Sequence, residues 1–324
     1  MFKRIITHSD FDGVASAALC SHTMNISIIT FTQPRIISDA LISLTTEDIV
    51  CDLPYPLECG MWFDHHEGNL EDLNYRKIDP ATIAGRFAVK DSCARVVYEY
   101  FLEKQTLPDF FKELVDEADI IDSFNYSSIE DWRRETPGKI VDAAIKVTED
   151  SQEVKWQFLK SLVMLLKERP LNEVAKLPGI TKRYRKYLAE EQEMMNKIRT
   201  DITFLPQDEN QQLMIIDLTK YNRRPFIMKN LAYMIHPQAL AVVQVSNLFR
   251  NNVKSNDLSF SISLSVNLNS MQHNKDVGEI MRQLNIGNGH AGAASGLVYG
   301  DSKEDMLKKK AKTLESIYNI FIKQ

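Results

Sequence analysis

Three short apolar runs near the start of the chain each end at an acidic residue or a histidine. RIIT precedes His8, DIVC precedes Asp52, and GMWF precedes Asp64. Apolar residues at helical spacing follow the first run in GVASAALCSHTM, and strands that alternate with helices are typical of a parallel α/β sheet. We therefore predict an α/β protein whose N-terminal part contains a parallel sheet.

The length of the chain favours two domains. A chain of 324 residues exceeds the usual size of a single hydrophobic core. Long charged helical stretches occupy residues 151–205, and a second β-rich pattern with LMIIDL, ALAVVQV and LSFSISLSVN follows. The sequence predicts an N-terminal domain at 1–150, a helical connector at 151–205 and a smaller α/β domain at 206–324.

The amino-acid composition limits the partners and the compartment that we expect for this chain. The apolar runs are much shorter than the roughly 20 residues that a membrane span requires, and the four cysteines have no CxxC spacing, which fits a reducing compartment. A net charge of −5 gives no general attraction to nucleic acid. We expect a cytoplasmic protein without membrane association, in which any nucleic-acid binding depends on a local basic patch.

The segment HSDFDG at 8–13 combines an imidazole with two carboxylates. In an extended backbone alternate side chains point to the same side, so His8, Asp10 and Asp12 would converge. This set of ligand types suits a divalent metal ion, and Gly13 allows a close turn into the next helix. In the alternative interpretation, Asp10 or Asp12 caps the N-terminus of that helix, a role that does not need His8.

Asp52, Asp64, His65 and His66 follow two further predicted strands. Ligands of open parallel sheets bind outside the carboxyl ends of the strands, so these side chains should meet those of 8–13 at one edge. Each histidine alone is more often a surface residue or a hydrogen-bonded core residue than a ligand. The crowded carboxylates would repel one another unless a cation neutralised them.

These motifs resemble the DHH phosphoesterase superfamily. FDHHEG, HSDFDG, the isolated Asp52 and DEADIID stand in the order of the four family motifs, and GNGHAGAASG at 287–296 resembles the glycine-rich motif of the associated C-terminal domain. Members include RecJ-type exonucleases, nano-RNA and cyclic-dinucleotide phosphodiesterases, and family II pyrophosphatases. The resemblance implies an active site in the cleft between the two domains.

The resemblance also implies two divalent metal ions, usually Mn²⁺ and alternatively Mg²⁺. They would lower the pKa of a shared water so that hydroxide attacks the phosphorus. His8 and Asp10 would hold one ion, and Asp52 would bridge the two. The second ion would take Asp12, His65 and the fourth-motif aspartate, which is Asp119 or Asp122. The catalytic residues on this comparison are Asp52, Asp64, His65 and His66, with Asp64 orienting an imidazole and His66 facing the substrate phosphate.

Candidate substrate-binding residues lie in both predicted domains. They are Gly287, Asn288, Gly289 and His290 of the glycine-rich segment, together with His66, Arg95 and Arg250. Many relatives carry a phosphate-binding arginine on the preceding strand, where this chain has SISLSVN, and Arg250 is the candidate substitute. KRYRKY at 182–187 has the composition of a single-strand binding groove, although a solvated helix face has the same composition.

The function implied is hydrolysis of phosphodiester bonds in short single-stranded oligonucleotides or dinucleotides. An exopolyphosphatase or pyrophosphatase is the first alternative, and a non-catalytic nucleotide-binding regulator is the second. The acidic net charge disfavours a long processive exonuclease. A homodimer is also compatible with the sequence.

Overall fold

The computed structural model describes residues 2–148, 151–223, 225–250, 253–269 and 271–324. Residues 1–125 and 135–190 form one compact unit, and residues 126–134 and 191–324 form a second. The predicted domain boundary at residue 150 lies outside the described residues, and the boundary at 205 stays a prediction.

Strands and helices alternate in the first part of the chain because short β-branched runs are separated by amphipathic or small-residue segments. These elements are β1 (Arg4–His8), α1 (Phe11–Met24), β2 (Ile28–Thr32), α2 (Pro34–Ser38), β3 (Asp48–Cys51), β4 (Met61–Asp64), α3 (Glu67–Tyr75) and β5 (Gly85–Phe87). A helical region follows, with α4 (Cys93–Leu102), α5 (Phe110–Asp122), α6 (Ile129–Arg133), α7 (Pro137–Ile145), α8 (Gln152–Leu166), α9 (Leu171–Val174) and α10 (Pro178–Asp201).

The remaining elements are mostly strands. They are β6 (Ile202–Thr203), β7 (Leu213–Asp217), β8 (Ala241–Arg250), β9 (Val253–Leu264), α11 (Val277–Gln283), β10 (Gly287–His290), β11 (Ala293–Val298) and α12 (Lys303–Lys323). A 3₁₀ turn at Lys229–Met234 precedes β8.

The first unit contains a five-stranded sheet in the order β2-β1-β3-β4-β5. All of its pairs are parallel, which confirms the predicted α/β class with a parallel N-terminal sheet. The carboxyl ends of β1, β3 and β4 therefore lie side by side. A buried apolar cluster that includes Phe11, Phe63 and Phe111 packs α1, α4 and α5 against the sheet.

The second unit contains a six-stranded sheet in the order β10-β11-β9-β8-β7-β6. Only β7 and β8 are paired in parallel; the other pairs are antiparallel. One face of this sheet is apolar, with Val243, Phe260 and Ile262 packed against α11 and α12. The opposite face carries polar side chains.

Two element bounds differ from the sequence prediction. Helix α1 begins at Phe11 rather than Gly13 because Asp10 already acts as the N-cap. The apolar spacing of PRIISDALISL at 34–44 predicts a longer helix, but α2 ends at Ser38. Its end is a Schellman motif, in which Ala40 adopts a φ of 52° and the Leu41 amide donates to the Ile36 carbonyl.

No helix in the described part of the chain is long and apolar enough to cross a membrane.

Candidate metal centre and substrate-binding face

His8 and Asp10 meet at the junction of β1 and α1. Asp10 Oδ1 accepts from the Gly13 amide as the helix N-cap, while Asp10 Oδ2 lies 2.6 Å from His8 Nδ1. Asp10 therefore caps the helix with one oxygen and faces His8 with the other. A Cβ at residue 13 would lie 2.4 Å from the His8 carbonyl oxygen, so glycine is needed where helix and strand approach.

A hydrogen bond from the neighbouring strand end fixes the orientation of His8. Gln33 Oε1 lies 3.2 Å from His8 Nε2, and Gln33 Nε2 donates to Ser9 Oγ at 2.7 Å. Because the amide oxygen of Gln33 can only accept, His8 Nε2 carries a proton. Nδ1 is left as the atom that faces Asp10 and Asp52.

Asp52 lies at the centre of the site. It follows β3 with a φ of 57°, a conformation that non-glycine residues seldom adopt and that is often found at functional positions. It is 2% exposed, and neither carboxylate oxygen has a hydrogen-bond partner among the described residues. Oδ2 lies 3.6 Å from His8 Nδ1, and Oδ1 lies 3.6 Å from His65 Nε2.

His65 points its second ring nitrogen into a group of carboxylates. His65 Nδ1 lies 2.9 Å from the Lys90 carbonyl oxygen, which can only accept, so Nδ1 is the donor. The buried Nε2 has no hydrogen-bond partner in the described part of the chain and lies 3.4 Å from Asp122 and 3.7 Å from Asp12. A hydrogen bond of this kind commonly fixes the tautomer of a metal-binding histidine.

Asp12 is anchored by the N-terminus of α4. Its two oxygens accept from the backbone amides of Cys93 and Ala94, each at 2.7 Å. Helix N-termini favour negative charge, and these bonds fix the carboxylate between α4 and His65.

Asp64 and His66 form a separate pair beside Asp52. Asp64 is fully buried; its Oδ1 accepts from His66 Nδ1 at 2.9 Å and its Oδ2 from Asn69 at 2.6 Å. Half of the His66 side chain is exposed. Because Asp64 contacts Nδ1 of His66, the Nε2 atom of the same ring can face a ligand.

Shifted pKa values reflect the excess of carboxylates. Burial raises the pKa of Asp12 well above its usual range, and the charges of Asp52 and Asp122 add to this effect. Burial and the charge of Asp52 raise the pKa of Asp122 to about 7. Burial alone would lower the pKa of each imidazole, but the hydrogen bond with Asp10 and the proximity of Asp52 raise that of His8 to about 11. Burial also opposes the charged form of His65, but the proximity of Asp52 and the charge of Asp12 raise its pKa to about 10.

The side chains fit divalent cations. Three groups of ligand atoms each lie within 4.8 Å of one another: His8 with Asp10 and Asp52, Asp12 with His65 and Asp122, and Asp52 with His65 and His66. Asp52 and His65 each belong to two groups. Cations between these groups would satisfy the unpartnered atoms of Asp52 and His65 and neutralise the carboxylates.

The structure separates the two candidates on α5. Asp122 lies in the cluster, whereas Asp119 accepts from Ser92 at 2.6 Å and from Arg95 at 2.6 Å. Arg95 also pairs with Asp116 at 2.7 Å. The guanidinium proposed for substrate binding is therefore already paired with two carboxylates.

The glycine-rich residues of the second unit lie on β10. A Cβ at Gly287 or Gly289 would lie 1.9 or 2.4 Å from a carbonyl oxygen of β11, so close strand pairing requires both glycines. Asn288 and His290 are exposed. His290 Nδ1 accepts from the Gly292 amide at 3.2 Å, so Nε2 is the nitrogen that carries the proton in the neutral ring.

Arg250 and the 182–187 segment have other contacts. Arg250, at the end of β8, pairs with Asp257 at 2.7 Å. Within α10, Arg183 lies over the ring of Phe158 and donates to the Ala144 carbonyl, while Tyr187 is buried. These contacts favour a packing role for this part of KRYRKY.

Sequence reasoning missed the groups that orient the imidazoles. Gln33, Asn69 and the Lys90 carbonyl belong to none of the motifs. The only signal available for Gln33 was its place directly after β2, the strand beside β1.

No protein-family model and no curated protein sequence matches the chain. Among solved structures, a pGpG-specific phosphodiesterase from Vibrio cholerae aligns with 97% of this chain and 98% of its own, at 21% identity and a TM-score of 0.69. The DHH domain of a protein assigned to a ribosomal protein family aligns with 98% of this chain and 86% of its own, at 13% identity and a TM-score of 0.56. The chain has the DHH fold. RecJ from Thermus thermophilus in complex with Mn²⁺ is a more distant neighbour of this DHH fold, at 14% identity and a TM-score of 0.49; the alignment covers 98% of this chain and 52% of RecJ.

Proposed function

We propose that this protein is a metal-dependent phosphodiesterase that hydrolyses short oligonucleotides or dinucleotides. The observation that carries the proposal is Asp52, a buried carboxylate without hydrogen-bond partners in the described chain between two groups of metal-ligand side chains. Leaving a buried carboxylate unpaired is costly, and this cost supports our proposal that cations bind here.

Two divalent cations fit the cluster. His8 and Asp10 would hold one, and Asp12, His65 and Asp122 the other, with Asp52 shared because its two oxygens face different imidazoles. The mixture of imidazole and carboxylate favours Mn²⁺ over Mg²⁺, which prefers oxygen ligands and retains its waters. When bound, such ions lower the pKa of water and offset negative charge on phosphate oxygens.

Neighbouring protein groups orient the imidazole rings of the cluster. The Lys90 carbonyl binds Nδ1 of His65 and so directs its Nε2 toward the carboxylates. Gln33 binds Nε2 of His8 and so directs its Nδ1 toward them. Asp64 holds the Nδ1 proton of His66, so Nε2 can donate to a phosphate oxygen of the substrate. Asp64 and His66 thus act on the substrate side of the cluster.

Short nucleotides are the favoured substrate class. The solved neighbour with a TM-score of 0.69 is named for hydrolysis of pGpG, a dinucleotide. A pyrophosphatase or exopolyphosphatase would need free cationic side chains around the metals, and the nearby Arg95 is instead paired with Asp116 and Asp119.

A hydrolysis panel with Mn²⁺ tests the proposal. It contains a short single-stranded RNA, a linear and a cyclic dinucleotide, pyrophosphate and long-chain polyphosphate. Asp52→Asn is the inactive reference, and Asp48→Asn is the matched control because Asp48 is a buried aspartate at the opposite end of β3, paired with Arg4.

We expect turnover of the nucleotides by the wild type and by Asp48→Asn, and none by Asp52→Asn. Release of phosphate from pyrophosphate or polyphosphate alone would replace the proposal with the first alternative. Binding of nucleotides without turnover would replace it with a regulator.

A further inference from the structure

A cavity of about 510 Å³ lies at the carboxyl end of β7 in the second unit. Residues of β8, β9 and the first turns of α12 supply much of its lining. All of the lining residues belong to the second unit, so the cavity shares none with the carboxylate cluster. Pockets of about 300–1,000 Å³ commonly bind small molecules. Lysine, asparagine, serine and threonine make up most of this lining, which favours a charged, polar ligand.

Asn247 is a buried polar side chain in the wall of the cavity. It lies on β8, where alternate residues point to the same face of the sheet. Val243 and Val245 of the same strand therefore share its face, and both belong to the apolar cluster that packs against α11 and α12. Leu258, the residue paired with Asn247 on β9, belongs to that cluster too. Asn247 is 2% exposed, so its amide lies on an otherwise apolar face.

One atom of the Asn247 amide is unsatisfied. Its Nδ2 donates to the Ser255 carbonyl at 2.8 Å, and because a carbonyl can only accept, this bond fixes the orientation of the amide. Oδ1 has no hydrogen-bond partner among the described residues. Leaving a buried acceptor unpaired is unfavourable. A ligand in the cavity that donates a hydrogen bond to Oδ1 would remove this cost.

Two of the lysines in the lining are neutralised by carboxylates. Lys310 Nζ lies 2.6 Å from Asp217 Oδ2, and the amide and hydroxyl of Thr219 both donate to Oδ1 of the same carboxylate. Lys220 pairs with Asp201. These contacts leave neither Asp217 nor Asp201 to balance a further lysine.

The other two lysines, Lys254 and Lys303, form no ion pair in the described part of the chain. Lys254 Nζ donates to the Thr219 carbonyl at 2.6 Å, which holds the ammonium in place without neutralising it. Lys303 begins α12 and is exposed. Among the described residues that line the cavity, Asp217 is the one acid. Two unbalanced positive charges match a phosphate monoester, which carries a charge of about −1.5 to −2 near pH 7.

We propose that this cavity binds a small phosphate monoester that carries hydroxyl groups, the chemistry of a sugar phosphate. Lys254 and Lys303 bind the phosphate, and a hydroxyl of the ligand donates to Asn247 Oδ1. The surrounding lysines disfavour a cationic donor at this position, so the donor is a neutral group. The site goes beyond the proposed function, since it needs neither the carboxylate cluster nor a phosphodiester.

The test is a calorimetric titration of ribose 5-phosphate, inorganic phosphate and ribose into the full chain. EDTA is present throughout, so that the carboxylate cluster holds no cation that could bind phosphate. Lys254→Gln and Lys303→Gln each remove one unbalanced charge. Lys312→Gln is the matched control because Lys312 is another exposed lysine of α12 and does not line the cavity.

We expect ribose 5-phosphate to bind the wild type more tightly than either inorganic phosphate or ribose. Lys254→Gln should weaken this binding about tenfold, the effect of one hydrogen bond to a charged group. Lys303→Gln should weaken it about 2- to 5-fold because its ammonium is more exposed. Lys312→Gln should bind as the wild type does.

Asn247→Leu tests the second contact. Leucine has no acceptor, so the advantage of ribose 5-phosphate over inorganic phosphate should disappear while inorganic phosphate binds unchanged. Leucine also cannot donate to the Ser255 carbonyl. The two lysine variants retain that bond and decide the result if Asn247→Leu does not fold.

Adenosine 5′-phosphate distinguishes two sources of the same chemistry. Tighter binding than ribose 5-phosphate would identify the ligand as a nucleoside monophosphate, and weaker binding would identify it as a sugar phosphate. The absence of ribose 5-phosphate binding to the wild type would overturn the inference. Equal affinities in wild type, Lys254→Gln and Lys303→Gln would also overturn it. None of these outcomes depends on hydrolysis, so failure of the proposed function leaves the test unaffected.

Discussion

The polar sites of the two units are electrostatic opposites. In the first unit, Asp10, Asp12, Asp52 and Asp122 outnumber the imidazoles around them, and the buried oxygens of Asp52 have no partner among the described residues. In the second unit, Lys229 lies on a face of serine and amide side chains without a described carboxylate partner. The excess of carboxylates in the first unit supports the cations that we propose for it.

The two sites also differ in construction. The carboxylate cluster gathers side chains from β1, α1, β3, β4 and α5, and the backbone at Asp52 adopts an uncommon conformation to reach it. The polar face is built from the regular pairing of β8, β9, β11 and β10. A cation site needs ligands that converge on one point, whereas regular strand pairing spreads side chains along a flat surface.

The largest expected effect is that of Asp52→Asn, which removes the negative charge shared by the two halves of the cluster. Asparagine tolerates the left-handed backbone at this position better than alanine. Hydrolysis should become undetectable, and Mn²⁺ should no longer raise the melting temperature. The metal-free variant should melt about 1–2 °C above the wild type, the change that about 1 kcal/mol produces in a protein of this size, because a desolvated carboxylate is lost. A variant that melts lower and keeps its Mn²⁺ response would contradict this assignment.

Metal affinity should depend steeply on pH. With pKa values of about 11 and 10, His8 and His65 are protonated at neutral pH without metal, and Asp122 gains a proton below about pH 7. All three must lose protons to coordinate, so Mn²⁺ binding weakens as pH falls, by about tenfold per pH unit for each proton released. Calorimetric titration in buffers of different ionisation enthalpy counts these protons. Release of less than one proton would show that the imidazoles are not ligands.

Gln33→Leu should weaken metal binding about 10- to 100-fold, the usual effect of removing a group that orients a metal-binding histidine. Leucine cannot accept from His8 Nε2, so the ring loses its fixed tautomer. Gln33→Glu restores an acceptor and should recover most of the affinity, and Gln105→Leu serves as an exposed control. Equal Mn²⁺ affinity in Gln33→Leu and wild type would remove Gln33 from the site.

His290→Ala should have the smallest effect, a rise in KM of about 2- to 10-fold with little change in kcat, equivalent to one hydrogen bond. His273→Ala, an exposed histidine of the same unit, should leave both constants unchanged. A fall in kcat with unchanged KM would place His290 with the reacting groups instead of on the binding face.

The sequence predicted the strand ends better than it predicted the groups that orient the imidazole rings. RIIT, DIVC and GMWF are continuous apolar runs, as buried parallel strands require, so their carboxyl ends and the acids that follow could be located. Gln33 acts through a contact between neighbouring strand ends, and Lys90 acts through its backbone carbonyl. Neither kind of contact leaves a pattern in a single sequence.

The sequence alone also could not decide whether Asp119 or Asp122 is the candidate metal ligand. Residues three apart share one helix face, and the rotation of α5 decides which of them reaches His65. Ser92 and Arg95 of the neighbouring helix hold Asp119 away from the cluster. In the second unit, β10 and β11 were predicted only as a glycine-rich segment because their small residues lack the alternation of a strand. Lys229 lies in a segment without periodicity.

The central claim is that the Asp52 cluster binds two cations. The most direct measurement is a calorimetric titration of Mn²⁺ into metal-free wild-type protein and Asp52→Asn. We predict two Mn²⁺ ions per wild-type chain and loss of tight binding in the variant. Weak binding that is equal in the two proteins would contradict the account.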